Sequence, residues 1–137
     1  MTIRIFVVED HHVMRTTLRH YLGLQDDLVV CGAASSAEQA MERLEDADPD
    51  VVLVDVSLPG RSGLDLVDDV RSRWPLPCLV LSGHGERSYV QRALDRGAAG
   101  YVLKGRPEEV PEALRRVVAG GSHVAASLRG MVTLPEA

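Results

Sequence analysis

The sequence predicts an α/β fold, a doubly wound parallel sheet with helices on both faces, and three observations carry that expectation. Five strand-length apolar runs recur along the 137 residues. Segments of helical periodicity fill the gaps between them. The runs are rich in Val, Ile and Leu without polar alternation, which is how strands covered on both faces read.

Ile3 to Val8 is the first run, and Met14, Leu18, Tyr21 and Leu22 form the apolar stripe of the helix after it. Leu28 to Ala33 is the second strand, followed by a stripe of Ala37, Ala40, Met41 and Leu44. Val51 to Val56 is the third, followed by Val67, Val70 and Trp74. Cys78 to Leu81 precedes a helix marked by Val90 and Leu94, and Ala98 to Leu103 precedes one marked by Val110, Leu114, Val117 and Val118. Pro107, with Glu108 and Glu109 behind it, suits a first helical turn. Pro111 lacks an N–H to donate, so the helix is expected to begin later than its apolar pattern. Alternating strands and helices imply right-handed crossovers, and five strands give the flavodoxin-like order 2-1-3-4-5. The expected domain is 1–121, with 122–137 a tail or the start of an interdomain linker.

Composition narrows the function. With 45% hydrophobic and 26% charged residues the chain builds its own core, and a net charge of −5 argues against this domain alone gripping nucleic acid. No apolar run approaches the roughly 18 residues of a membrane span and the start lacks a signal-peptide pattern, so a cytoplasmic location is expected. Cys31 and Cys78 lack metal-ligand spacing and read as small buried hydrophobes. His11, His12, His20 and His123 read as surface or capping residues, and His84 as part of a loop beside the site. Met14, Met41 and Trp74 read as packing.

In a doubly wound sheet ligands bind at the carboxyl ends of the strands. There the apolar runs stop at Glu9 and Asp10, Asp55, Ser82 and Lys104. Asp55 is expected at a solvent-accessible strand end. Three carboxylates repel one another unless a cation joins them, and oxygen ligands in a watery site favour Mg²⁺. A carboxylate nucleophile with Mg²⁺, a lysine and a hydroxyl suits phosphoryl transfer, which depends on positioning and charge neutralisation. Each residue also has a plainer role open to it: a helix cap for Asp10, a turn for Asp55 or Ser82, a surface position for Lys104, a core position for Tyr101.

Together VVEDHH at Val7 to His12, DVSLPGRSG at Asp55 to Gly63, LSGH at Leu81 to His84 and GAAGYVLK at Gly97 to Lys104 resemble response-regulator receiver domains of two-component signalling. That resemblance implies that Asp55 accepts a phosphoryl group from a histidine kinase or phosphotransfer protein. It implies Mg²⁺ on Asp10, Asp55 and the Ser57 carbonyl, with Glu9 acting mostly through metal-bound water. Ser82 and Lys104 would bond phosphoryl oxygens, Tyr101 would turn inward with Ser82, and the surface of the fourth helix, fifth strand and fifth helix, with Arg87, Tyr89, Arg92 and Arg96, would report the change. The family's Lys-Pro is Lys104-Gly105 here. VVEDHHVMR at Val7 to Arg15, the Ser82-Gly83-His84 loop and RRVVAGGSHVAASL at Arg115 to Leu128 resemble receivers that precede a LuxR/FixJ-type DNA-binding domain, implying transcription control through an output domain and a phosphorylation-driven homodimer through the first and fifth helices. A stand-alone receiver, a receiver fold with an idle switch and a haloacid-dehalogenase-like phosphatase are the alternatives; the last wants Asp-x-Asp on its first strand, whereas Asp55 is followed by Ser57 two residues on. The protein is otherwise expected not to be an enzyme.

Overall fold

The computed structural model describes residues 2–83 and 87–124. The strands are β1 (Ile3–Val8), β2 (Leu28–Ala34), β3 (Val51–Asp55), β4 (Cys78–Ser82), β5 (Gly100–Leu103) and β6 (His123–Val124). Between them run α1 (His12–Gly23), α2 (Ala37–Ala47), α3 (Gly63–Arg73), α4 (Arg87–Asp95) and α5 (Val110–Val118). All pairings are parallel and the order is β2-β1-β3-β4-β5-β6. The order 2-1-3-4-5 is therefore present and a sixth strand extends it. Those two residues carry no apolar run that would mark a strand, and His123, read as surface or capping, is buried in β6. His84 and residues 125–137 of the tail lie outside the described residues.

Side chains alternate between two cores because successive strand residues face opposite sides. Phe6, Val8, Val52, Val54 and Val80 pack under α2, α3 and α4. Ile5, Val7, Leu53, Leu79, Leu81 and Val102 pack under α1 and α5. β2, at the sheet edge, departs from the doubly covered pattern: Cys31 is only half-buried and Val29 is exposed. Cys78 is buried, and burial pushes its thiol up to about 12, so it holds no nucleophilic thiolate near neutrality.

Capping sets the helix starts. Ser36 Oγ accepts from the Gln39 N–H ahead of α2, and Ser62 Oγ from the Asp65 N–H ahead of α3. α2 stops at Asp48, whose φ of 49° is left-handed. α3 stops before Trp74, which extends the stripe in sequence but is itself extended backbone (φ −135°, ψ 153°), since the residue before Pro75 is pushed out of the helical region. α5 begins at Val110 after a 3₁₀ turn over Pro107–Glu109, which brings Pro111 into the first helical turn where its missing N–H costs nothing.

Candidate functional site

Six parallel strands deliver their carboxyl ends to one edge of the sheet, so polar residues far apart in sequence meet there. Glu9 and Asp10 open the loop from β1 to α1, Asp55 and Ser82 close β3 and β4, and Lys104 follows β5. Lys104 Nζ lies 2.9 Å from Asp55 Oδ2 and 3.2 Å from Glu9 Oε1. The Ser57 N–H donates to Asp55 Oδ1 at 3.0 Å. Through its own N–H, 2.8 Å from the Ser82 carbonyl, Lys104 also ties the turn after β5 to the end of β4. No described peptide bond is cis, so the Lys104-Gly105 turn is built from trans peptides.

Asp55 is 1% exposed, which corrects the expectation of an open strand end. Lys104 and Glu9 close over it. A buried carboxylate is tolerated here because its two oxygens accept from an ammonium and a backbone N–H. Burial alone would push Asp55 up; the bonds with Glu9, Ser57 and Lys104 outweigh it and hold the carboxyl below its ordinary range. Glu9 moves the other way, raised by burial first and then by its contact with Asp55. Lys104 stays a firm cation: burial lowers it, and the two carboxylates more than restore it.

These opposed shifts give a pH dependence. Folded Glu9 holds a proton at pH values where unfolded Glu9, at its ordinary 4.5, has released it. Its contribution is therefore complete below 4.5 and fades as pH rises through the raised folded value. Without divalent cations, the stability contributed by Glu9 should grow as pH is lowered through its raised folded value toward 4.5, and Glu9→Gln should remove that component. Melting curves of both proteins in chelator check this; equal slopes would show that Glu9 is not the group.

Sequence reasoning missed His11 and Arg15 as parts of the site. His11 precedes α1 but makes no side-chain cap bond. Instead its N–H donates to Glu9 Oε2 at 3.2 Å, and its Nδ1 lies 3.1 Å from that oxygen and 3.2 Å from Asp10 Oδ1. Arg15 Nη1 donates to the Glu9 carbonyl at 2.7 Å and the Asp10 carbonyl at 3.4 Å, pinning the acidic turn from behind. A histidine directly after two strand-end acids was the available signal for the first. Bonds to backbone carbonyls leave no sequence signal, so nothing marked the second.

Glu9, Asp10, His11 and Asp55 each offer a ligand atom, and these atoms lie within 4.8 Å of one another. Glu9 Oε1 and Asp10 Oδ1 are buried, and each faces a single nitrogen at 3.2 Å without a well-formed hydrogen bond, Lys104 Nζ for the first and His11 Nδ1 for the second. These contacts leave lone pairs on both buried oxygens unsatisfied, and a hard cation would satisfy them. The donor set thus fits a divalent ion. Behind it, Ser82 and Tyr101 are both fully buried and hydrogen-bonded to each other; burial raises the phenol and the Ser82 bond opposes that rise. Of the expected reporter surface, Arg96 bonds Asp65 of α3 at 2.7 Å and also bonds Asp68, while Arg92 stacks over the Tyr89 ring at 5.9 Å. Arg96 is therefore committed within the fold.

A sheet of this topology with acids and a lysine at its carboxyl edge defines a class, and the comparisons agree with it. The response regulator receiver domain family matches residues 5–115, and the chain belongs to that family. The nitrate/nitrite response regulator protein NarL of Escherichia coli (strain K12) is 38% identical over 120 residues, which cover 85% of this chain and 55% of NarL. The DNA-binding transcriptional activator DevR/DosR of Mycobacterium tuberculosis is 39% identical over 122 residues, covering 88% of this chain and 56% of that protein. A two-component response regulator of the LuxR family from Aurantimonas sp. SI85-9A1 superposes with a TM-score of 0.91 at 26% identity, over 96% of this chain and 95% of that one. The chain spans about half the length of the curated relatives it matches. No helix among the described residues is long and apolar enough to cross a membrane.

Proposed function

We propose that this receiver is a phosphorylation-driven switch with Asp55 as the acceptor. The supporting observation is the charge arrangement: a carboxylate held ionised beside Glu9 and Asp10, with Lys104 Nζ 2.9 Å away. An Asp55 oxygen attacks the phosphorus of a phosphohistidine on a histidine kinase or phosphotransfer protein; the P–N bond breaks and the imidazole leaves. Asp10, Asp55 and the Ser57 carbonyl would hold Mg²⁺, with Glu9 acting through its water, and the ion would neutralise the oxygens of the transferring group. Lys104 then exchanges its bond to Asp55 for one to a phosphoryl oxygen. The new group brings charge of about −1.5 to −2. It draws the Ser82 hydroxyl away from Tyr101, and the surface of α4, β5 and α5 shifts its population toward the active form.

The output proposed is transcription control through a DNA-binding domain beyond 1–121, of the kind named for DevR/DosR, with a stand-alone receiver acting by protein contacts as the alternative; the location is cytoplasmic. Acetyl phosphate with Mg²⁺ should add one phosphoryl group, mapped to Asp55 by mass spectrometry. Steady hydrolysis of phosphomonoesters would mark a phosphatase instead, and no modification at all an idle receiver fold.

Metal binding is a separate prediction. With few direct protein ligands, Mg²⁺ should bind weakly, and Asp10→Asn should weaken it further, by on the order of tenfold for one lost charged ligand. Isothermal titration checks this. Tight binding that survives Asp10→Asn would put the ion elsewhere.

A further inference from the structure

Among the described residues of this acidic chain five arginines are paired with carboxylates: Arg61 with Asp69, Arg73 with Glu45, Arg96 with Asp65 and Asp68, Arg115 with Asp27 and Glu112, and Arg116 with Glu112. Arg15, Arg19 and Arg43 are not. They come from α1 and α2 to line one pocket of about 140 Å³ at the carboxyl end of β2, together with Ser35 and Gln39 and with no acidic residue in the wall. Arg43 Nη1 is fixed on the Ala33 carbonyl at 2.9 Å, and Arg15 on the Glu9 carbonyl at 2.7 Å and His12 Nδ1 at 3.3 Å. The Arg19 side chain makes no hydrogen bond or ion pair among the described residues and is exposed.

Gln39 completes the wall. Its Oε1 accepts from both the Ser35 N–H and the Ser35 hydroxyl, each at 3.0 Å. A backbone N–H can only donate, so this bond settles which end of the amide is the oxygen and leaves Nε2 as a fixed donor. The acid in the first turn of α2, Glu38, lies beside Gly60 and not in the pocket.

Three guanidinium groups without carboxylate partners among the described residues raise the local positive potential, and their planar forks match tetrahedral oxyanions through paired N–H donors. We propose that this pocket is a binding site for a phosphate-class oxyanion, either the free ion or a phosphomonoester. The site is distinct from the Asp55 cluster but touches it through Arg15, whose guanidinium holds the backbone of Glu9 and Asp10. An anion that engages Arg15 therefore acts on the acidic turn, and by reciprocity a cation at that turn alters anion affinity.

The test is an NMR titration of the protein in chelator, which keeps phosphate from joining a metal at Asp55. Inorganic phosphate and glycerol 2-phosphate are the probes, with chloride at matched ionic strength as control. Saturable shifts at the Nε–Hε signals of Arg15, Arg19 and Arg43 and at the Gln39 side-chain amide are expected. Arg19→Gln with Arg43→Gln should lower the affinity at least tenfold; Arg43 gives up one bond to a carbonyl and Arg19 none, so an unchanged circular dichroism spectrum checks the fold. Tighter binding of glycerol 2-phosphate assigns the ester, and tighter binding of phosphate the free ion. Linear shifts equal to those in chloride, saturable binding unaffected by the double substitution, or saturable binding of a hexaglutamate peptide where phosphate saturates nothing would each overturn the proposal.

Discussion

Asp55→Asn is expected to take up no phosphoryl group from acetyl phosphate and Mg²⁺, against near-stoichiometric labelling of the parent protein. The neutral amide is a poor nucleophile and cannot form an acyl phosphate, so the loss is complete and not graded. The fold should survive. The substituted side chain keeps the shape and an oxygen for the Ser57 N–H, and although Lys104 loses its ion pair it retains Glu9 at 3.2 Å. Phosphate retained at the same site in Asp55→Asn would refute the assignment. The same pair of proteins reports on assembly. Val13 is 75% exposed on α1, and Glu112 and Arg116 are exposed on α5, so these helices offer a surface beyond their core-facing stripes. Sedimentation should show an isologous dimer for the beryllofluoride-treated parent and a monomer for Asp55→Asn, with Val13→Asp breaking the dimer. Charge reversal at Arg115 is a poor probe, because Arg115 is half-buried and bonds Asp27 at 2.8 and 2.9 Å, so its loss disturbs the fold itself.

The strand polarity is what made the site legible. Once Val51 to Val56 reads as a buried parallel strand, Asp55 near its carboxyl end must lie at the ligand edge, and the same argument delivers Glu9, Asp10, Ser82 and Lys104. What periodicity cannot convey is how far a side chain reaches. Lys104 spans from the end of β5 to β3 and β1, and that reach turns an open strand end into a buried ion cluster. Trp74 had its own signal in Pro75, which outweighs an apolar stripe. β6 had none: its two residues pair with Gly100 and Tyr101 only because Gly100 lets the backbone of His123 come close.

Gly63→Ala should have the largest effect on stability of any single methyl added to this chain near the site. Gly63 opens α3, its N–H donating to the Val56 carbonyl at 3.1 Å. A Cβ there would stand 2.1 Å from the Asp55 carbonyl oxygen and 2.7 Å from the Val56 Cα. Both obstacles are backbone, so no rotamer change relieves the clash. Either α3 lifts from the sheet, exposing Leu64, Leu66 and Val67, or the end of β3 is displaced and Asp55 with it. Overpacking of this kind costs about 3 kcal/mol or more. For a chain of this size that lowers the melting temperature by on the order of 10 °C. Displacement of β3 should also slow labelling by acetyl phosphate, because the distance from Asp55 to Lys104 depends on that strand end. Gly105→Ala is the control: it sits beside Lys104 with nothing within 4 Å of an added Cβ, so it should leave the melting temperature nearly unchanged. Scanning calorimetry of the two variants separates a steric requirement at the β3–α3 junction from a general intolerance of methyl groups around the site, and a parent-like melting temperature for Gly63→Ala would contradict the close approach.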